Sequence, residues 1–114
     1  MNLFIRPQAR DDIIRQFRWH LLEQEAPETA FRFLDAVEES VGQLLGMPEM
    51  GSPRVLKNPA LAGLRVWPVK GFEDIRIYYL VRAESLRVVR ILHGKRDISR
   101  ILAREAAERE NTPH

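Results

Sequence analysis

Cationic side chains crowd residues 63–100, whereas groups that could transfer a proton are scarce there. Cleavage of RNA by its own 2′-hydroxyl needs a base, an acid for the leaving oxygen, and cations that stabilise the charged phosphorane. Candidate cations are plentiful: Arg65, Lys70, Arg76, Arg90, Lys95 and Arg96. Arg65 and Arg76 lie on neighbouring predicted strands, where they could converge on one phosphate or simply solvate an exposed sheet face.

His93 is the one histidine of this segment, and imidazole is well suited to proton transfer near neutral pH. It stands directly before Gly94 at the predicted end of a strand, where a histidine more often bonds a turn or packs against a helix. The residues that a nuclease could use here are Arg65, Arg76, Arg90 and His93.

Composition excludes several other kinds of site. The 114 residues include no cysteine, which rules out disulfides and thiolate zinc sites. No pair of histidines or carboxylates has metal-ligand spacing, and "KGFED" lacks the repeated glycines of a phosphate-binding loop. We therefore expect neither a metal nor a cofactor. No segment resembles a signal peptide or approaches the ~20 apolar residues of a membrane span, so we expect a cytoplasmic protein without membrane contact.

Charge is distributed unevenly along the chain. The whole chain has a formal net charge of only +2, but residues 1–46 carry a net −3 and residues 63–100 a net +5. A cationic surface confined to one segment favours an anionic partner, either nucleic acid or an acidic protein segment.

Two amphipathic helices are predicted after an opening strand at "NLFIRP". In residues 8–26 the apolar positions at helical spacing are Ile13, Ile14, Phe17, Leu21 and Leu22. Residues 28–46 carry the cleaner stripe, which consists of Ala30, Phe33 or Leu34, Val37, Val41, Leu44 and Leu45. Pro27 ends the first helix and starts the second, and the short connection predicts an antiparallel helical hairpin.

The remaining sequence alternates as strands do and then ends in a helix. Strands are predicted at residues 64–69, 74–81 and 85–93, the last two joined as an antiparallel hairpin by the short connection Ala83-Glu84-Ser85. Asp97 is the expected N-cap of a final helix whose apolar residues are Ile98, Ile101 and Leu102. This order predicts one α+β domain over residues 1–114, with a polar tail from about residue 108. The hairpin would cover one face of an antiparallel sheet and leave the other face available.

Several large side chains fall outside the predicted core stripes and suggest an interface. Trp19, Leu22 and Phe31 lie at least partly off the helical stripes, and exposed apolar side chains of this size often mark a binding surface. Tyr79 alternates with core residues, whereas Tyr78 shares a face with Arg76. Trp67 fits either sheet packing or an aromatic anchor. The candidate partner-binding set is Trp19, Leu22, Phe31, Trp67, Arg76 and Tyr78; a second contact within the core would explain several of these equally well.

The element order, the phrase "GLRVWPVKGFEDIRIYYLV" and the ending "VVRILHGKRDI" resemble the ParE/RelE toxin superfamily of type II toxin–antitoxin systems. The resemblance covers roughly residues 2–100. The "ILHGKRDI" ending is its most specific element and looks like the ParE branch.

The resemblance implies a toxin silenced by an antitoxin that itself binds operator DNA. ParE-like members poison DNA gyrase, and RelE-like members cleave mRNA on the ribosome; an inactive antitoxin-binding homologue is a further alternative. RelE-like nucleases place a Tyr or His after the last strand, where this chain has Asp97, Ile98 and Ser99. We therefore expect a gyrase poison with a ParD-like antitoxin and no catalytic residue. The gyrase-directed residues implied by the resemblance are His93, Lys95, Arg96 and Arg100.

Overall fold

The computed structural model describes residues 1–111 and the side chains of residues 1–108. Its elements are β1 Asn2–Ile5, α1 Pro7–Arg18, α2 Pro27–Gly46, β2 Ser52–Pro53, β3 Arg65–Val69, β4 Phe72–Arg82, β5 Ser85–His93 and α3 Ile98–Asn111. A π-helical turn at Trp19–Glu23 extends α1, and a 3-10 turn at Pro59–Leu61 lies between β2 and β3. The α+β fold is confirmed. The predicted polar tail falls partly outside the described residues, and its first residues continue α3.

The five strands form one sheet in the order β1-β5-β4-β3-β2. The strands from β2 to β5 pair antiparallel, but β1 pairs with β5 in parallel, with Leu3 opposite Leu86. The expectation of a purely antiparallel sheet was therefore wrong. Parallel neighbours need a long connection between them, and here everything from α1 to β4 separates β1 from β5.

The helical hairpin packs on one face of this sheet. The predicted α2 stripe is confirmed, with Ala30, Phe33, Val37, Val41 and Leu44 all buried. The stripe predicted for α1 is only partly right. Its fully buried residues are Ala9 and Asp12, whereas Ile14 is 48% exposed. The face that α1 buries is thus offset by about one residue from the most apolar face of the helix.

Strands β4 and β5 carry buried apolar side chains on both of their faces. Ile75, Ile77 and Tyr79 face the helical hairpin, as predicted, whereas Tyr78 and Leu80 face the other way. The pairing register shifts between Tyr78 and Tyr79, which pair with Arg90 and Val88, so β5 has a bulge at Val89. Because of this bulge, Val89 and Leu92 both lie on the second face together with Tyr78.

Helix α3 covers that second face. Asp97 is its N-cap, since its Oδ1 accepts the backbone N–H of Arg100 at 3.1 Å, as the sequence predicts. Ile98 and Leu102 are buried against Tyr78 and Leu80. The expectation that the second face stays available was therefore wrong for Tyr78, which is only 3% exposed, although Arg76 on the same face remains exposed.

Candidate functional site

Lys95 and Arg96 lie on the turn between β5 and α3, which main-chain hydrogen bonds hold in place. Gly94 donates its N–H to the carbonyl of Asp74, and Arg96 donates to the carbonyl of His93. The Nδ1 of His93 accepts the N–H of Lys95 at 3.3 Å. His93 thus bonds its own turn, as one of its two sequence interpretations predicts. We call Arg76, His93, Lys95, Arg96 and Arg100 the basic corner; all five are exposed.

Arg76 reaches this corner because residue 94 is a glycine. A Cβ at Gly94 would lie 2.9 Å from Nε and 3.0 Å from Cζ of Arg76. The guanidinium therefore lies directly against the turn, in a space that any side chain at residue 94 would occupy. Gly94 is thus a positioning residue for Arg76. The sequence indicates a turn there but not this close approach.

The structure does not bring the four nuclease candidates together. Arg65 donates to the carbonyls of Glu49 and Gly51, so it anchors the loop before β2. Arg90 is buried in ion pairs. Only Arg76 and His93 lie at the basic corner.

Arg90 belongs to a buried charge network that links the sheet to α1 and α3. Its Nε and Nη2 donate to the two carboxylate oxygens of Asp12 at 2.7 and 2.8 Å, and its Nη1 donates to Glu105. Asp12 also accepts the N–H of Ile91 on β5 at 3.0 Å. Bonding to Asp12, chiefly, raises the pKa of Arg90. Arg6 completes the network through Glu105 at 3.2 Å.

A groove of about 750 Å³ lies between the end of α1 and the β4–β5 pair, beside the basic corner. Its rim carries Arg15, Glu73, Asp74 and Arg96, and its wall is formed largely by Trp19, His20, Phe72 and His93. The π-helical turn places Trp19 and His20 in this groove: Gln24 donates its N–H to the carbonyl of Trp19, five residues earlier. The sequence shows no signal for this turn.

His20 stands inside an aromatic cluster at one side of the groove. Its ring lies 4.9 Å from that of Trp19, 5.7 Å from that of Phe33 and 5.8 Å from that of Phe72. Burial, and then the nearby Arg32, lower the pKa of His20. The folded chain therefore prefers the neutral imidazole.

This preference predicts an acid-sensitive contribution to stability. Because the pKa of His20 is lower in the folded chain than in the unfolded chain, its contribution is fully present above about pH 6.5, the unfolded value. It is lost as the pH falls below 6.5 towards the folded value, since the unfolded chain then binds the extra proton. Thermal unfolding between pH 8 and pH 5 should show a smaller loss of stability for His20→Gln than for the wild type. Equal losses in both proteins would contradict the assignment.

Some of the predicted interface residues are exposed, and others are buried or half-buried. Leu22 is 65% exposed, Phe31 57% and Trp19 50%, so these three are available to a partner. Phe31 contacts the half-buried Phe17 edge to face, with ring centroids 5.2 Å apart. Trp67 is half-buried against the main core, in keeping with sheet packing. Tyr78 would become available only if α3 moved.

Within the described residues, no three histidine or carboxylate side chains lie close enough to hold a metal ion. No helix in that part of the chain has both the length and the apolar character to cross a bilayer.

Comparison with known proteins supports one family. The family model for the ParE toxin of type II toxin–antitoxin systems matches residues 3–98. Among solved structures, a chain of the chromosomal ParDE toxin–antitoxin system from P. aeruginosa has a similar fold, with a TM-score of 0.64 and 20% identity. The alignment covers 82% of this chain and 95% of that one. No curated protein sequence matches. Because the family model spans most of the chain, from β1 to the start of α3, the protein belongs to the ParE family of toxins of type II toxin–antitoxin systems.

Proposed function

We propose that this toxin poisons DNA gyrase in the cytoplasm and that a cognate ParD-like antitoxin neutralises it. The family match supports the toxin role and an antitoxin partner. The choice of gyrase over mRNA cleavage rests on the separation of the nuclease candidates. Arg65 binds loop carbonyls and Arg90 is buried, so they cannot join His93 around one scissile phosphate.

A poison needs no proton transfer, only a surface complementary to its target. The basic corner supplies such a surface because Lys95, Arg96 and Arg100 are exposed on a turn held by main-chain bonds. Asp97, which occupies the place of a nuclease acid or base, is instead engaged as the N-cap of α3. We therefore assign no catalytic residue, and the gyrase-directed residues are His93, Lys95, Arg96 and Arg100.

The antitoxin is proposed to bind along the helical hairpin and the adjacent groove. Trp19, Leu22 and Phe31 offer exposed apolar area, and Arg15 and Arg96 on the groove rim would meet acidic side chains of the antitoxin. Trp67 and Arg76 would add contacts at the sheet, and Tyr78 only after a movement of α3. Operator DNA would be bound by the antitoxin.

The test is induction of the toxin alone and together with its antitoxin, with a gyrase cleavage assay on the purified chain. We expect DNA-damage signalling, filamentous cells and trapped cleaved DNA, all suppressed by the antitoxin. His93→Gln should keep much of the effect, because no proton transfer is involved. The double variant Lys95→Glu with Arg96→Glu should weaken the toxic effect. Arg82→Glu with Arg87→Glu makes an equal change in charge at the far end of the β4–β5 pair and should not weaken it.

Two results would contradict the proposal. Codon-phased mRNA cuts on translating ribosomes that vanish in Arg76→Ala would establish the nuclease alternative. An induced chain that binds the antitoxin but arrests neither replication nor translation would establish an inactive homologue.

A further inference from the structure

The nine basic side chains of residues 63–100 fall into two groups according to what they contact. Five have a partner within the chain: Arg65 on loop carbonyls, Lys70 on Glu39, Arg82 on the carbonyl of Ala62, Arg87 on the ring of Phe4 and Arg90 on Asp12. The other four side chains are Arg76, Lys95, Arg96 and Arg100. Within residues 1–108 none of these four forms an ion pair or a side-chain hydrogen bond, and all four are exposed.

The four unpaired cations lie together at the basic corner. Arg76 reaches it by lying against Gly94, Lys95 and Arg96 follow on the same turn, and Arg100 lies in the first turn of α3. The one carboxylate within this turn, that of Asp97, accepts the N–H of Arg100 at the helix start. The excess positive charge of the segment is therefore concentrated in this corner. Glu73 and Asp74 line the adjoining groove with Arg96, but within residues 1–108 neither forms an ion pair with the four cations.

The exposed large apolar side chains lie outside the elements that carry the basic corner, although Trp19 lines the adjoining groove with His93 and Arg96. The exposed large hydrophobic residues among the described ones are Met1, Leu3, Phe4, Ile14, Trp19, Leu22, Phe31, Met47 and Val55. None of them belongs to β4, β5 or α3. Protein interfaces depend on buried aromatic or apolar anchors, whereas interfaces with DNA are polar and strongly cationic. Guanidinium groups, which three of the four cations carry, suit bidentate contacts with phosphate.

We propose that the basic corner binds the phosphate backbone of duplex DNA, so that the toxin holds the DNA of the gyrase complex directly. This inference rests on the proposed function and names the ligand of the basic corner. The phosphates of the DNA are bound by Arg76, Lys95, Arg96 and Arg100. The contact carries no sequence information, because phosphates are the same at every base pair. It is thus distinct from operator recognition by the antitoxin.

Salt dependence of binding measures the number of phosphate contacts. Binding of the 114-residue toxin to a short fluorescent duplex should weaken with salt, with a logarithmic slope of roughly −3 to −4 for four contacts. Arg76→Gln with Arg96→Gln should reduce the steepness of that slope by about 2, because each phosphate contact contributes about 0.9. Arg82→Gln with Arg87→Gln makes the same change in net charge roughly 20 Å away along the β4–β5 strand pair. This control pair should leave the slope unchanged.

A variant without any change in charge tests the geometry. In Gly94→Ala the new methyl group would displace the Arg76 guanidinium, which is the flexible end of its side chain. We expect a slope less steep by up to about 1, the value of one phosphate contact, at an unchanged melting temperature. An unchanged slope would remove Arg76 from the site.

The outcomes separate this inference from the function on which it rests. The inference is overturned if the toxin does not bind duplex DNA at low salt, or if the control pair lowers the slope as much as the corner pair. It is also overturned if corner variants lose binding to gyrase subunits in the absence of DNA, since the corner then contacts protein while gyrase stays the target. A toxin that binds DNA through the corner but traps no cleaved DNA would instead overturn the proposed function alone.

Discussion

Replacing Asp12 by alanine is expected to lower the free energy of unfolding by about 3–5 kcal/mol, the usual effect of breaking a buried ion pair. Asp12 is 0% exposed, and its carboxylate accepts bonds from Arg90, Arg15 and the N–H of Ile91. Alanine would leave the Arg90 guanidinium without its main partner and the N–H of Ile91 without its acceptor. For a chain of this length the melting temperature should fall by roughly 12–20 °C.

The neighbouring Asp11→Ala is the matched control, because Asp11 is exposed and the change in charge is the same. Its melting temperature should stay close to that of the wild type. A double replacement, Asp12→Ala with Arg90→Met, should recover part of the loss, since no buried charge is then left unpaired. Equal melting temperatures for Asp12→Ala and Asp11→Ala would show that the network contributes nothing to stability.

Removal of α3 is the second change with a large expected effect. A chain that ends at Asp97 loses the burial of Ile98 and Leu102, worth about 1.5–3 kcal/mol each. It also loses Glu105, which pairs with Arg6 and Arg90. Tyr78 and Leu80 on the sheet would become exposed. We expect loss of toxicity with a milder loss of antitoxin binding, because the helical hairpin and its exposed apolar residues stay in place.

A chain that ends at Glu108 is the control, since it keeps all three of these α3 residues. It should resemble the 114-residue chain in growth inhibition after induction and in melting temperature. If the chain ending at Asp97 were as toxic as the 114-residue chain, then neither α3 nor Arg100 would contribute to the toxic surface.

Much of the fold follows from local sequence patterns. The stripe of α2 predicts its buried face, because helical periodicity alone places Phe33, Val37 and Val41 on one side. The alternation in β4 likewise separates Tyr79 from Tyr78. Asp97 is predictable as an N-cap because its partner, the N–H of Arg100, is only three residues away. Each of these features depends on neighbours within a few residues.

The roles of the cations could not be predicted in the same way. In sequence, Arg65, Arg76 and Arg90 are equivalent arginines on strands. Only the tertiary structure decides that one anchors a loop, one is exposed at the basic corner and one is buried. The partner of Arg90, Asp12, lies 78 residues away. A carboxylate on an amphipathic helix is normally taken as exposed, so nothing local indicated that this one is buried.

By itself the sequence determined the long helices and strands, the two faces of β4, the start of α3 and the segment that carries the excess positive charge. The tertiary structure decided that β1 pairs in parallel with β5, that α3 covers the second face of the sheet, and which cations have no ion-pair partner among residues 1–108. The physical reason is the range of the interactions. Periodicity and capping act within a few residues, whereas strand partners and ion pairs depend on groups that only folding brings together.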